Sequence, residues 1–205
     1  MRILTALSVI LLLGVAAGAA FGENEGSRVI QKGRWSLAFT LPDGGGATFG
    51  IWKMASTRSN LGLNIGVNHD RRWYSSGPGS ATYTEDTSFW KFSLQPSIKR
   101  YLALRENVSP YLFGAVGGAY GWGKSTYSSP AYPALPPDKS YNRSASLRLG
   151  LGVDWTPLDD ISIGAFTGLN WTEGGLDGSG YSESSRNGYS GFNTEITRLT
   201  MHVYF

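Results

Sequence analysis

Apolar residues recur at every second position through most of this chain, and that period admits few folds. Successive side chains of a β-strand point to opposite faces, whereas an amphipathic helix needs spacings of three and four. In Asn60–Asn68, Leu61, Leu63, Ile65 and Val67 share one face and Gly62, Asn64 and Gly66 the other. Ser144–Trp155 repeats the pattern, setting Leu147, Leu149, Leu151, Val153 and Trp155 against Ser146, Arg148, Gly150, Gly152 and Asp154. Trp35–Leu41, Ile161–Trp171 and the terminal Asn193–Phe205 follow it as well. Ser88–Tyr101 alternates with Pro96 on its apolar face. Proline cannot donate to a ladder, so a bulge or local break is expected there. Ala47–Ala55 is strand-like but ambiguous, since either Phe49 and Ile51 or Trp52 and Met54 suit the apolar side. The two faces of Tyr111–Gly121 are too similar to assign.

These segments make an all-β chain of about eight strands. The connections Ser56–Ser59, Ala103–Ser109 and Thr156–Asp160 are short, and His69–Thr87, Trp122–Tyr141 and Thr172–Ser190 are long; Pro42–Gly46 is the short exception on the long side. An even strand count with alternating short and long connections predicts an eight-stranded antiparallel up-and-down transmembrane β-barrel, with long loops outside and both ends in the periplasm. Aromatics at strand ends fit interfacial girdles: Trp35, Tyr101, Tyr111, Trp155 and Phe205 on the periplasmic side, Trp90 and Trp171 on the external side.

A secreted β-sandwich also alternates. Composition weighs against it. The face opposite the apolar one is rich in Gly, Ser and Asn, which suit the crowded interior of a narrow barrel better than a solvated surface. Charged residues are only 16% of the chain, below the roughly 25% of soluble domains. The net charge of +3 forms no basic stripe, so nucleic acid is not an expected partner. With no cysteine, disulfides, thiolate metal sites and a Cys nucleophile are excluded.

Arg2, the apolar run Ile3–Ala20 and the small-residue exit Ala20-Phe21-Gly22 form a tripartite export signal. The expected organisation is a cleaved signal peptide over residues 1–22, a short periplasmic segment over 23–33 and the barrel over 34–205.

Three stretches carry a family resemblance: Ser109-Pro110-Tyr111-Leu112-Phe113-Gly114, Leu149-Gly150-Leu151-Gly152-Val153-Asp154-Trp155-Thr156-Pro157-Leu158, and the terminal Leu199-Thr200-Met201-His202-Val203-Tyr204-Phe205. The chain resembles the small outer-membrane β-barrel proteins related to OmpX and to the transmembrane part of OmpA. The resemblance implies outer-membrane location, a monomer, and insertion by the barrel assembly machinery. That machinery would read the terminal face of Leu199, Met201, Val203 and Phe205; family members often have Tyr where Val203 stands. It implies no single activity.

Inward parity assigns Lys91, Lys99, Arg148, Asp154, Arg198 and His202, with Glu195, to a polar network in the lumen. Such a network either lines a pore or plugs the interior. The plug is the expected state, because eight strands enclose a space that side chains just fill. Arg71, Arg72, Trp73, Tyr74, Tyr127, Tyr132 and Tyr181 fall in the long connections and are the candidates for contact with external ligands, the two arginines with lipopolysaccharide phosphates. Chemistry is sparsely provided for. The histidines are His69 and His202, and neither has a serine two residues on; His69-Asp70 is the one adjacent acid–base pair. No cofactor or metal site is expected, nor catalysis.

Overall fold

A computed structural model describes residues 30–40, 47–76, 83–105, 107–128, 136–179 and 184–205, and within them the side chains of all but residues 47, 83, 179, 184–185 and 195–198. The expected signal peptide lies outside the described residues. Eight strands run in order: β1 (Trp35–Thr40), β2 (Ala47–Met54), β3 (Ser59–Ser76), β4 (Tyr83–Tyr101), β5 (Val108–Ser128), β6 (Asp138–Leu158), β7 (Ile161–Ser179) and β8 (Ser184–Tyr204). Each pairs antiparallel with the next, and β8 returns to β1, closing the barrel. At the seam the amide of Phe205 donates to the Trp35 carbonyl at 3.0 Å, and that of Trp35 donates back at 3.3 Å. Closure leaves no edge there, which matters wherever the exterior is apolar and water cannot satisfy backbone groups.

The register is staggered. From Phe39 the partners Phe49, Ile65, Leu94, Gly118, Ala145 and Glu173 lead to Ser190 on β8, eleven residues before Met201, which faces Phe39 directly. One residue of that offset comes from the irregularity between Phe166 and Gly168. Such a stagger tilts the strands by about 35–45° and fixes a narrow bore.

Burial follows the two-residue period. Leu61, Leu63, Ile65 and Val67 on β3, and Leu149, Leu151, Val153 and Trp155 on β6, are exposed on the outer wall, while Asn60, Asn64 and Asp154 are buried inside. The ambiguous parity of β2 resolves with Phe49 and Ile51 outward and Trp52 and Met54 inward. On β5, Leu112 and Tyr120 face outward and Tyr111, Phe113 and Ala115 inward. Trp52 lies across Gly62, its register partner on β3. A Cβ at Gly62 would come within 2.1 Å of the indole, so Gly62→Val is expected to cost about 1–3 kcal/mol by overpacking, read as a lower urea midpoint.

Two expectations need correction. Tyr101 and Tyr111 do not belong to a periplasmic girdle; both point into the lumen at 1% exposure. At Pro96 the expected local break is present: pairing with β5 lapses at Gln95 and Pro96 and resumes in the same register. The long connections are largely strand. Ladders β3–β4, β5–β6 and β7–β8 continue to Ser76↔Tyr83, Ser125↔Asp138 and Ser179↔Ser184. Among the described residues the β1–β2 ladder stops at Thr40↔Thr48. Beyond Val67 and Thr200, the last partners of β2 and β1, the wall consists of β3–β8 among the described residues.

Candidate functional site

The inner half of the lumen is filled by one buried polar network among aromatic rings. Lys99 on β4 and Asp154 on β6 form its charged centre, with Nζ at 2.9 and 3.0 Å from the two carboxylate oxygens. They are 3% and 0% exposed. Asp154 also accepts from the Tyr101 hydroxyl at 2.6 Å. Lys99 lies 3.0 Å from Nε2 of His202 on β8. An ammonium has only donors, so Nε2 must accept. Nδ1 therefore carries the ring proton and donates to Ser36 Oγ at 3.2 Å, which ties β8 to β1. All three ammonium protons are thus engaged, the condition under which a buried charge is tolerated. The rings of Tyr111 and Trp52 lie 4.5 and 5.6 Å from Nζ. Glycine makes the room: a Cβ at Gly164 would sit 2.3 Å from Asp154 Oδ1.

Above this centre a second layer crosses the bore. Trp52 Nε1 donates to Asn64, which donates to Ser97. Phe113 and Phe166 stack with centroids 4.7 Å apart. Arg148 donates to Gln95 at 3.1 Å. Between the layers lies a cavity of about 30 Å3, room for a water or two and too little for a channel.

Of the residues assigned to the lumen from sequence, Lys99, Asp154 and His202 meet in one cluster. Arg148 belongs to the layer above. Lys91 shares their inward parity but is exposed, well out along β4. The side chains of Arg198 and Glu195 lie outside the described residues. Sequence reasoning missed Tyr101, Tyr111, Trp52 and Ser36. Tyr101 was recoverable, since it lies two residues beyond Lys99 on the same strand face.

The outer halves of β3 and β4 form an exposed ribbon. Arg71 grips Asp86 with Nε at 3.1 Å and Nη2 at 2.7 Å, and Arg72 pairs with Asp70 at 3.0 Å. Trp73 and Tyr74 are 69% and 58% exposed at its end. Tyr127 is half-buried near the tip of β5; Tyr132 and Tyr181 lie outside the described residues. Hydrogen bonding from Arg71 holds the Asp86 carboxyl below its ordinary value near 3.8. The folded value is thus the lower one, so what the pair contributes is present above the ordinary range and fades as pH falls through the folded value. An NMR titration of Asp86 should give a midpoint below 3.8, returning to the ordinary range in Arg71→Gln.

His69-Asp70 does not form an acid–base pair. Adjacent residues of a strand face opposite ways. His69 stacks on Trp90 at 4.2 Å and lies 3.1 Å from Ser88 Oγ, whereas Asp70 binds Arg72. Among the described residues no carboxylate orients the His69 ring, and no group of His, Asp and Glu could hold a metal ion. At the C-terminus Leu199, Met201 and Phe205 are exposed on the outer wall, Val203 is half-buried, and Thr200, His202 and Tyr204 are buried.

The backbone is similar to solved bacterial outer-membrane barrels. It matches a major outer membrane protein from Thermus thermophilus with a TM-score of 0.51 and 13% identity, over 84% of this chain and 98% of that one. Ail, the attachment invasion locus protein of Yersinia pestis, aligns at 15% identity over 85% of this chain and all of its own, with a TM-score of 0.41. CarO of Acinetobacter baumannii aligns at 8% identity over 86% and 99%, with a TM-score of 0.37. The first match establishes a shared fold and nothing about activity. No protein-family model and no curated protein matches the sequence.

Proposed function

We propose that this chain, an integral outer-membrane β-barrel, acts through its external surface and not by conduction or catalysis. The observation that carries this reading is a contrast along the barrel axis. The inner half is packed with a saturated ion pair and aromatic rings, while the outer ends of β3–β8 extend as ribbons with exposed Trp73 and Tyr74. Exposed aromatics among Ser and Gly suit adaptable contact with external ligands. Arg71 and Arg72 are the residues of this reading that meet lipopolysaccharide phosphates. Their present ion pairs are exposed and screened by solvent, so a phosphate can displace them. The chain acts as a monomer, and the barrel assembly machinery recognises its terminal apolar face.

The test pairs two measurements on reconstituted protein. Vesicles containing it should hold an ion gradient as well as empty vesicles do. In a binding screen against glycans and matrix proteins, Trp73→Ser with Tyr74→Ser should lose whatever the wild type captures. Ion leakage that changes selectivity in Arg148→Glu would replace this reading with a pore. A lipid A modification that disappears in His69→Ala would replace it with an enzyme.

A further inference from the structure

A buried acceptor without a donor stands where the filled part of the bore gives way to its outer half. Asn170 on β7 is 9% exposed. Its Nδ2 donates to Thr172 at 3.4 Å, while its Oδ1 meets no donor among the described residues. An unsatisfied buried acceptor costs free energy, so each one asks for a donor from outside the chain.

Parity aims this amide into the bore. Asn170 pairs with Arg148 on β6 and with Asn193 on β8, level with the layer to which Arg148 belongs. Further out, the inward side of β7 and β8 has room. Thr172 pairs with Gly191, where a Cβ would meet nothing within 4 Å. Gly174 lies four residues beyond Asn170, about 13 Å along the strand. The Tyr189 ring lies across it: a Cβ at Gly174 would come within 2.5 Å of the phenol. The Tyr189 hydroxyl donates to Asn142 at 3.3 Å, which fixes the ring in place. The residue stays 41% exposed, so the fixed ring still offers surface to a visitor.

The charge of this wall selects the visitor. Inward positions are 142–148 on β6, 170–174 on β7 and 189–193 on β8, taken alternately, and Arg148 is the one charged residue among them. Its guanidinium already donates to Gln95. An ion placed here would be poorly compensated. A suitable ligand is uncharged, brings a hydroxyl donor to Asn170 and lays an apolar face on Tyr189. A pyranose ring combines these properties, with hydroxyls on its rim and C–H groups on its face.

We propose that the outer half of the lumen binds the neutral disaccharide end of a glycan. One ring stacks on Tyr189, and the next gives a hydroxyl hydrogen bond to Asn170 Oδ1. The site deepens the reading of an external contact surface and rests on it. It uses the inward side of β6–β8, however, and neither Trp73 nor Tyr74.

The test is saturation-transfer NMR on the full mature barrel in dodecylphosphocholine micelles. Maltose, cellobiose and lactose are the neutral probes, and a sulfated heparin disaccharide is the charged one. The wild type should bind at least one neutral disaccharide, and more tightly than the sulfated one. Asn170→Leu removes the unsatisfied acceptor at similar side-chain size. It should weaken that affinity about tenfold, the effect of one hydrogen bond, and leave the urea midpoint no lower than in the wild type. Tyr189→Ser should abolish binding, with heat-shifted gel migration verifying that it is folded. No transfer to any neutral disaccharide by the wild type would overturn the proposal. So would tighter binding of the sulfated probe, or an unchanged affinity in Asn170→Leu, which decides the matter even if Tyr189→Ser does not fold. Trp73→Ser with Tyr74→Ser should keep the disaccharide. Its loss there would overturn the lumen site and leave the external contact surface standing, as would capture of a protein or glycan by that surface without any disaccharide binding.

Discussion

Asp154→Ala is expected to lower the unfolding free energy by about 3–5 kcal/mol, the cost of stranding a buried charge. Lys99 would be left at 3% exposure with the His202 nitrogen as its remaining acceptor, beside the faces of Trp52 and Tyr111. The Tyr101 hydroxyl would lose its acceptor in the same step. Asp154→Asn tests the cause. It keeps the shape and an acceptor for Tyr101 but removes the charge, so most of the loss should remain. Removing both charges with Lys99→Met and Asp154→Leu should cost less than Asp154→Ala alone, because no ion is then left without a partner. Urea titration in phospholipid vesicles, followed by tryptophan fluorescence, measures all three. A loss within about 0.5 kcal/mol for Asp154→Ala, the range of ordinary surface substitutions, would mean that the bore is wet and the plug does not exist.

Leu151→Arg is expected to cost about 2–4 kcal/mol, although the side chain is 57% exposed. Exposure to water and exposure to lipid predict opposite results at this position. On a soluble barrel, an arginine on the outer wall is nearly neutral. Near the middle of an acyl layer it must be desolvated or must thin the bilayer. Ser75→Arg, exposed at the outer end of β3, is the control and should be neutral in either case. Urea midpoints of the two variants that differ by less than the error of the measurement would argue that the exterior does not meet hydrocarbon.

Much of the fold was legible in the sequence wherever one wall meets an apolar phase and the other does not. That asymmetry writes the alternation of β3, β6, β7 and the last residues of β8. Where it ends, so does the signal. Beyond His69 both faces of β3 are wet, apolar periodicity has no cause, and residues 69–76 read as loop although they are strand. In β2 both faces carry large apolar residues, and the deciding contact is Trp52 over Gly62, which only the register reveals. Tyr101 and Tyr111 were misplaced because an aromatic at a strand end suggests a girdle. Parity with Lys99 pointed inward for Tyr101 and proved the stronger guide. The polar centre was legible as a set of inward charges, but its closure was not: the roles of Ser36 and Tyr101 depend on strands distant in the chain meeting across the bore.

The central claim is that alternate residues of these strands face acyl chains around a sealed, filled interior. The chain has no cysteine, so nitroxide labels can be placed one at a time from Leu147 to Trp155 in protein reconstituted into bilayers. Oxygen, which concentrates in the acyl layer, should relax labels at 147, 149, 151, 153 and 155 strongly. A label at 148, which borders the small cavity between the layers, should be shielded from oxygen and from a water-soluble nickel reagent alike. Accessibility without a two-residue period, or nickel reaching the odd-numbered positions, would contradict the account.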